Sequence, residues 1–219
     1  MAENAVEIDL VNALLGLRVN SDYAGQGDLD FLAGGARTEY TLDTSDTANI
    51  FEQLSEIARI QNVALGEGLA QQKQGAVILA SGAAAKALRY HPSIKDFMVY
   101  TLSVNSSDNF YTVESNPAYE VWTLNGITVI DVTGYSLISD KIGVDGFAYI
   151  PRMADTANAL VLHTGIGVRH LTLGKSATLH NQYVVSDAKW QFPSIATETS
   201  YLAINNIPTA IVFGSVSAS

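Results

Sequence analysis

Cysteine is absent from the 219 residues. That removes disulfide scaffolds, thiolate metal sites, iron–sulfur ligation and cysteine nucleophiles together. Charge is scarce: Asp, Glu, Lys and Arg make up 16% of the chain, against about 25% in ordinary globular proteins. Apolar residues make up 47%. This is material for a substantial core and is unlike the low-hydrophobicity, high-charge composition of a disordered chain. No apolar run approaches the ~18 residues of a membrane span. The start, Met1 to Asp9, lacks the basic region of a secretory leader. There is no long Pro- or Ser-rich linker, and no internal repeat with a period of roughly 20–50 residues. Length and composition thus describe one large domain or two small ones, soluble and of mixed α/β class, without an evident catalytic site.

The charge that is present is lopsided. Twelve bases against 22 acids give −10. Residues 1–72 hold twelve of the acids and three bases, Arg18, Arg37 and Arg59, for a net −9; residues 73–219 are near balance at −1. A sequence-independent nucleic-acid binder needs a basic stripe against phosphate, and this chain has none. Direct nucleic-acid binding is not expected. The acids serve first to keep the protein soluble.

Hydrophobic spacing predicts a helix over 3–17, with Val6, Leu10, Ala13, Leu14 and Leu17 on one face. Glu3, Glu7 and Asp9 near its start suit the positive end of the helix dipole. Residues 18–48 read as irregular and Gly/Asp-rich, with short apolar patches at 29–32 and 40–42. A second helix is predicted over 47–65, capped by Thr44, Ser45 or Asp46, with Ile50, Leu54, Ile57, Ala58 and Leu65 inward and Gly66 and Gly68 at its end. The unbroken run Ala76–Ala80, between Gly75 and Gly82, predicts a strand buried on both faces. Ser81 then opens a third helix over 83–90, stopped before Pro92. Beyond 97 the period shifts towards two. Strands are predicted at 97–104, 110–113, 119–124, 127–132, 147–150, 159–163, 168–173, 183–185, 199–204 and 210–213, followed by a polar tail from Ser215. Asn125-Gly126 between two β-rich runs is the signature of a type I′ hairpin. Helices first and strands later predict an α+β fold.

The motifs are thin. Gly165-Ile-Gly167-Val-Arg-His170 begins like a dinucleotide fingerprint but has His at the third position and no helix to open. Gly174-Lys175-Ser176 ends like a P-loop, yet Arg169 stands where the first glycine of the cradle belongs. His91, His163, His170 and His180 form no i, i+4 metal pair, and no Gly-x-Ser-x-Gly elbow is present. Asp140 with Asp145, and Asp28 with Asp30, lie in turn-like sequence and do not make a glycosidase pair. Trp122 and Trp190 are expected to fill core or interface. No catalytic, cofactor-binding or metal residue is assigned.

The order of features resembles a known family. The helix 47–65 leads into Ala76–Ala80 and then a short helix. After a variable loop come Leu124-Asn-Gly-Ile-Thr-Val-Ile130, Gly146-Phe-Ala-Tyr-Ile150 and the closing Tyr201-Leu-Ala-Ile-Asn-Asn-Ile-Pro-Thr-Ala-Ile211. This is similar to the C-terminal two-thirds of tailed-phage major capsid proteins of the HK97 fold. The resemblance implies a partial peripheral domain over 1–44 (the end of the spine helix and its exit loop). It implies an axial domain over 45–165, a mixed sheet flanked by helices. Over 166–219 it implies strands returning to the peripheral domain. It implies a capsid subunit that is not an enzyme, needs no cofactor and self-associates into pentamers and hexamers around DNA. Scaffold, portal or decoration proteins are further partners of such a subunit. It would be found in the virion, after assembly in the host cytoplasm, and not in a membrane. The family's N-terminal arm and long E-loop hairpin have no counterpart here. Glu198 lies near the place of a glutamate that assists cross-linking in some members, but the hairpin lysine is missing and that chemistry is not carried over. Two other readings stay open. One is an encapsulin-type nanocompartment or another virion component. The other is an α+β enzyme or ligand-binding domain with a dispersed site from Arg152, His163, Arg169 and His170.

Overall fold

The computed structural model describes residues 2–17, 30–32, 35–96, 111–114, 119–164, 181–185, 194–198 and 200–217. Its centre is the apolar run recognised in the sequence. That run lies in β2 (Lys73–Ala80), the fourth strand of a seven-stranded mixed sheet. The other strands are β1 (Thr38–Leu42), β3 (Tyr111–Glu114), β4 (Glu120–Leu124), β5 (Ile127–Asp131), β6 (Gly146–Met153) and β11 (Val212–Val216). The spatial order is β1-β11-β6-β2-β5-β4-β3. The β1/β11 and β2/β5 pairs are parallel; the rest are antiparallel. The chain is therefore α+β, as its composition and element order predict.

Both faces of β2 are covered, which is why its sequence does not alternate. On one side Ala76, Ile78 and Ala80 join Phe147 and Tyr149 of β6 beneath α2 (Ile50–Ala70) and α3 (Gly82–Tyr90). On the other, Val77 and Leu79 join Ala148, Ile150, Ile211 and Phe213 beneath the end of α1 (Ala2–Leu14) and α4 (Ser136–Ile142). Helix α2 buries Ile50, Leu54, Ile57, Gln61 and Leu65, a stripe at helical spacing. Buried Gln61 fastens it to the sheet: its Nε2 donates to the Tyr149 carbonyl at 3.2 Å and to that of Ala210 at 2.9 Å.

The predicted N-caps of α2 are replaced by Asn49, whose Oδ1 accepts from the amides of Phe51 and Glu52. The stretch before it is already engaged. Asp43 accepts from the Ser45 amide through its side chain, and its own backbone pairs in both directions with the Gln53 amide group. Gly66 does break the helix geometry, at φ +71° and ψ 167°, a conformation open to glycine. Helical structure resumes beyond this kink to Ala70. The Asn125-Gly126 turn has positive φ at both residues, 49° and 78°, and joins β4 to β5 as the type I′ hairpin predicted.

Other expectations need correction. Residues 38–42 form a strand because β11 supplies a parallel partner from the far end of the chain. Residues 136–142 form a helix that the strand-rich reading omitted. The last strand begins at Val212, after a 3-10 turn at Pro208–Ala210, and takes in Ser215 and Val216, where the sequence predicts a polar tail. Strand β9 (Ser194–Glu198) pairs with β8 (Asn181–Val185) and was not predicted. The strands predicted at 97–104 and 168–173 lie outside the described residues.

A separate antiparallel ribbon joins β7 (Leu160–Thr164) to β10 (Tyr201–Asn205). It rests on α1 through Ala203 against Ala13, with Leu10 packed beside them. The seven-stranded sheet draws on all three expected segments: β1 from 1–44, β2 to β6 from 45–165, and β11 from 166–219.

Candidate functional site

The residues singled out in the sequence resolve into separate local roles. His91 is buried at the end of α3. The Ser93 amide, which can only donate, points at Nδ1 from 3.3 Å; Nδ1 is therefore an acceptor, and Nε2 carries the proton towards the Ser45 carbonyl 2.9 Å away. The Ser93 hydroxyl, 2.9 Å from the same Nδ1, also accepts from the Ile50 amide. His91 thus ties the start of α2 to the end of α3, a structural task. His163 is exposed on β7, opposite Leu202. His170, His180, Arg169 and both glycine-bearing motifs, 165–170 and 174–176, lie outside the described residues. So do Trp190 and Asp28.

Arg152 is exposed near the end of β6. No ion pair or hydrogen bond joins it to His163 among the described residues. Asp145 accepts the Ala83 amide at 2.8 Å and so caps α3, in place of the expected Ser81 side chain, while Asp140 is exposed on α4. Asp30 accepts the Leu32 amide at 3.1 Å. Glu198 closes β9 opposite Asn181. Trp122 fills the core beneath the Arg89 guanidinium, 5.4 Å from its ring, and Arg89 pairs with Glu120. Among the described residues no group of three His, Asp or Glu side chains is placed to hold a metal ion. Among them, too, no helix is long and apolar enough to cross a membrane.

What the fold does build is surface relief on both sides of the sheet. On the α2 side an open depression of about 630 Å³ runs along the helix, lined by Ser55, Arg59, Asn62, Val63, Gly66 and Glu67 among others. Val63 is 72% exposed there, an apolar side chain turned to solvent. Close by, Lys73 donates to Asn62 Oδ1 at 3.1 Å, and its partial burial lowers its pKa below the usual lysine value. On the opposite side a smaller depression of about 220 Å³ lies between α4 and the β1/β11 edge. Phe213 lies beneath it and Arg37 and Lys141 line it, with the Arg37 guanidinium 4.9 Å from the centre of the Phe213 ring. In the sequence Arg37 stands out only as one of three bases in the acidic segment 1–72. Its position beside Lys141 depends on the pairing of β1 with β11, more than 170 residues apart, for which local sequence carries no signal.

Comparison with protein families finds no model that matches the chain, and comparison with curated proteins finds no significant match.

Proposed function

We propose that the chain is a structural subunit that acts by self-association, a shell protein of the HK97 type. The observation that supports this reading is how the matched segments sit together. The helix–strand–short helix unit α2–β2–α3, the Asn-Gly hairpin β4–β5 and strand β6, all within 45–165, belong to one mixed sheet with helices on both faces. That is the arrangement the family resemblance implies for an axial domain. The surface relief is consistent with such work: it includes open depressions bearing exposed Val63 and Arg37 and half-buried Lys141. In this reading heterologous contacts, repeated about a rotation axis, close into rings. Sedimentation velocity over a range of concentrations, with electron microscopy of the concentrated protein, tests it. Rings or shells are the expected result; a protein that stays monomeric at every concentration and salt condition overturns the proposal.

A further inference from the structure

The outer side of α2 and the Arg37/Lys141 pocket lie on opposite faces of one sheet and carry opposite charge. Helix α2 packs with the core cluster of Ile78, Phe147 and Tyr149, whereas Phe213 and Ile142 belong to the cluster on the other face. The outer side of α2 bears Glu52, Glu56 and Glu67 against Arg59, a net −2. Glu56 is occupied: Arg59 grips it with two hydrogen bonds, at 2.8 and 2.6 Å. Glu52 and Glu67 are exposed and pair with no cation among the described residues. Across the sheet Arg37 and Lys141 flank one pocket, and neither makes an ion pair among the described residues. With Glu39 on the rim, the pocket keeps a net +1.

A molecule with an acidic face on one side and a cationic pocket on the other is complementary to itself in a head-to-tail sense. We infer that Arg37 and Lys141 receive the outer face of α2 of a second copy, with Glu52 or Glu67 of that copy as the carboxylate they hold. The guanidinium, laid over Phe213, presents a planar donor edge suited to a carboxylate. Because donor and acceptor surfaces lie on opposite faces, the contact is heterologous, and its repetition closes into a ring or runs on as a filament. This inference rests on the self-association reading and adds the surface through which it acts.

The experiment uses two charge-reversed full-length chains, Arg37→Glu/Lys141→Glu and Glu52→Lys/Glu67→Lys. Each alone sets like charge against like. At concentrations where the wild type associates, each is expected to lose association by about tenfold or more in sedimentation velocity. Mixed in equal amounts, the two restore opposite charges at every contact, so association returns. The restored particles alternate the two chains, so any closed ring among them has an even number of subunits. Recovery on mixing also shows that both variants are folded. If either variant alone associates like the wild type, or if mixing restores nothing while circular dichroism shows both folded, this interface is wrong and the self-association proposal stands. If the wild type itself never associates, both fall.

Discussion

In the seven-stranded sheet, β2 and β6 have strand neighbours on both edges and helices over both faces, and the side chains packed there are, apart from Gln61, mainly aliphatic or aromatic. In the β7–β10 ribbon each strand has one neighbour among the described strands, one face rests on α1, and Leu160, Leu162 and Leu202 are 46, 40 and 39% exposed. The ribbon is held largely by polar contacts. Asn205 Nδ2 donates to the Ala13 carbonyl at 2.8 Å, the Tyr201 hydroxyl to Asp9 at 2.6 Å, and Asn206 Nδ2 to the Asn158 carbonyl at 2.8 Å. A two-stranded ribbon is marginal in water without a helix to pack on. The sheet derives its stability from removing apolar area from solvent, while the ribbon depends on a few directional bonds whose net worth is about 1 kcal/mol each. The two should therefore open independently, the ribbon at lower free energy.

The largest effects are expected in the sheet. Phe147 is almost fully buried, and β11 accommodates its ring by having no side chain at Gly214, where a Cβ would lie 2.2 Å from ring atoms. Phe147→Ala leaves a cavity in the larger cluster and is expected to cost about 3–5 kcal/mol, read as a lower urea midpoint for the whole chain. Gln61→Leu keeps the apolar packing of α2 but removes the donor to the carbonyls of Tyr149 and Ala210; the expected cost is about 1–3 kcal/mol, again global. A midpoint unchanged in either variant contradicts a sheet-centred core.

The sheet also has a pH signature. Burial raises the Tyr149 phenol from 10.0 to about 12. The unfolded phenol gives up its proton first, so the stability this group contributes is complete below pH 10 and is lost as pH rises through about 12. Tyr149→Phe is expected to flatten that alkaline decline when urea midpoints are followed from pH 9 to about 12. An unchanged decline assigns it to other groups; the Tyr201 phenol, also raised by burial and by Asp9, is the first candidate.

The sheet's centre was legible in the sequence because its cues are local. An unbroken apolar run marks a strand covered on both faces, helical spacing marks α2, and Asn-Gly marks the β4–β5 turn. What escaped depends on distant partners. Strand β1 has ordinary Thr-Glu-Tyr-Thr-Leu sequence and becomes a strand only through β11. Helix α4, seven residues without a strong apolar face, is held by the sheet on which Ile138 and Ile142 pack. Asn49 caps α2 in place of the three candidates Thr44, Ser45 and Asp46 because the helix starts only at Ile50, after a stretch that Gln53 and an Asx turn at Asp43 engage. Surface placement escaped entirely: Arg37 and Lys141 are 104 residues apart and share a pocket through tertiary pairing alone. Of the dispersed site Arg152, His163, Arg169 and His170, the two described residues, Arg152 and His163, are exposed side chains with no bond between them among the described residues.

The smallest expected effects separate the ribbon from the sheet most cleanly. Asn205→Ala removes the donor to Ala13 and the acceptor for the Ile207 amide, which lies 2.9 Å from Asn205 Oδ1. The expected loss is about 1 kcal/mol, and it should be local. Hydrogen exchange should quicken at the amides of β7 and β10 while those of β2 and β6 keep their protection. Equal acceleration in both regions means that ribbon and sheet open as one unit and the comparison fails. Leu162→Ser is the control at the lower limit. The side chain sits on the ribbon's α1-facing side yet is 40% exposed, so its replacement should move global stability by no more than about 0.5 kcal/mol. Should it instead lower the urea midpoint as far as Gln61→Leu does, the ribbon's leucines carry apolar burial that its polar bonds do not explain, and the two regions are stabilised by one mechanism rather than two.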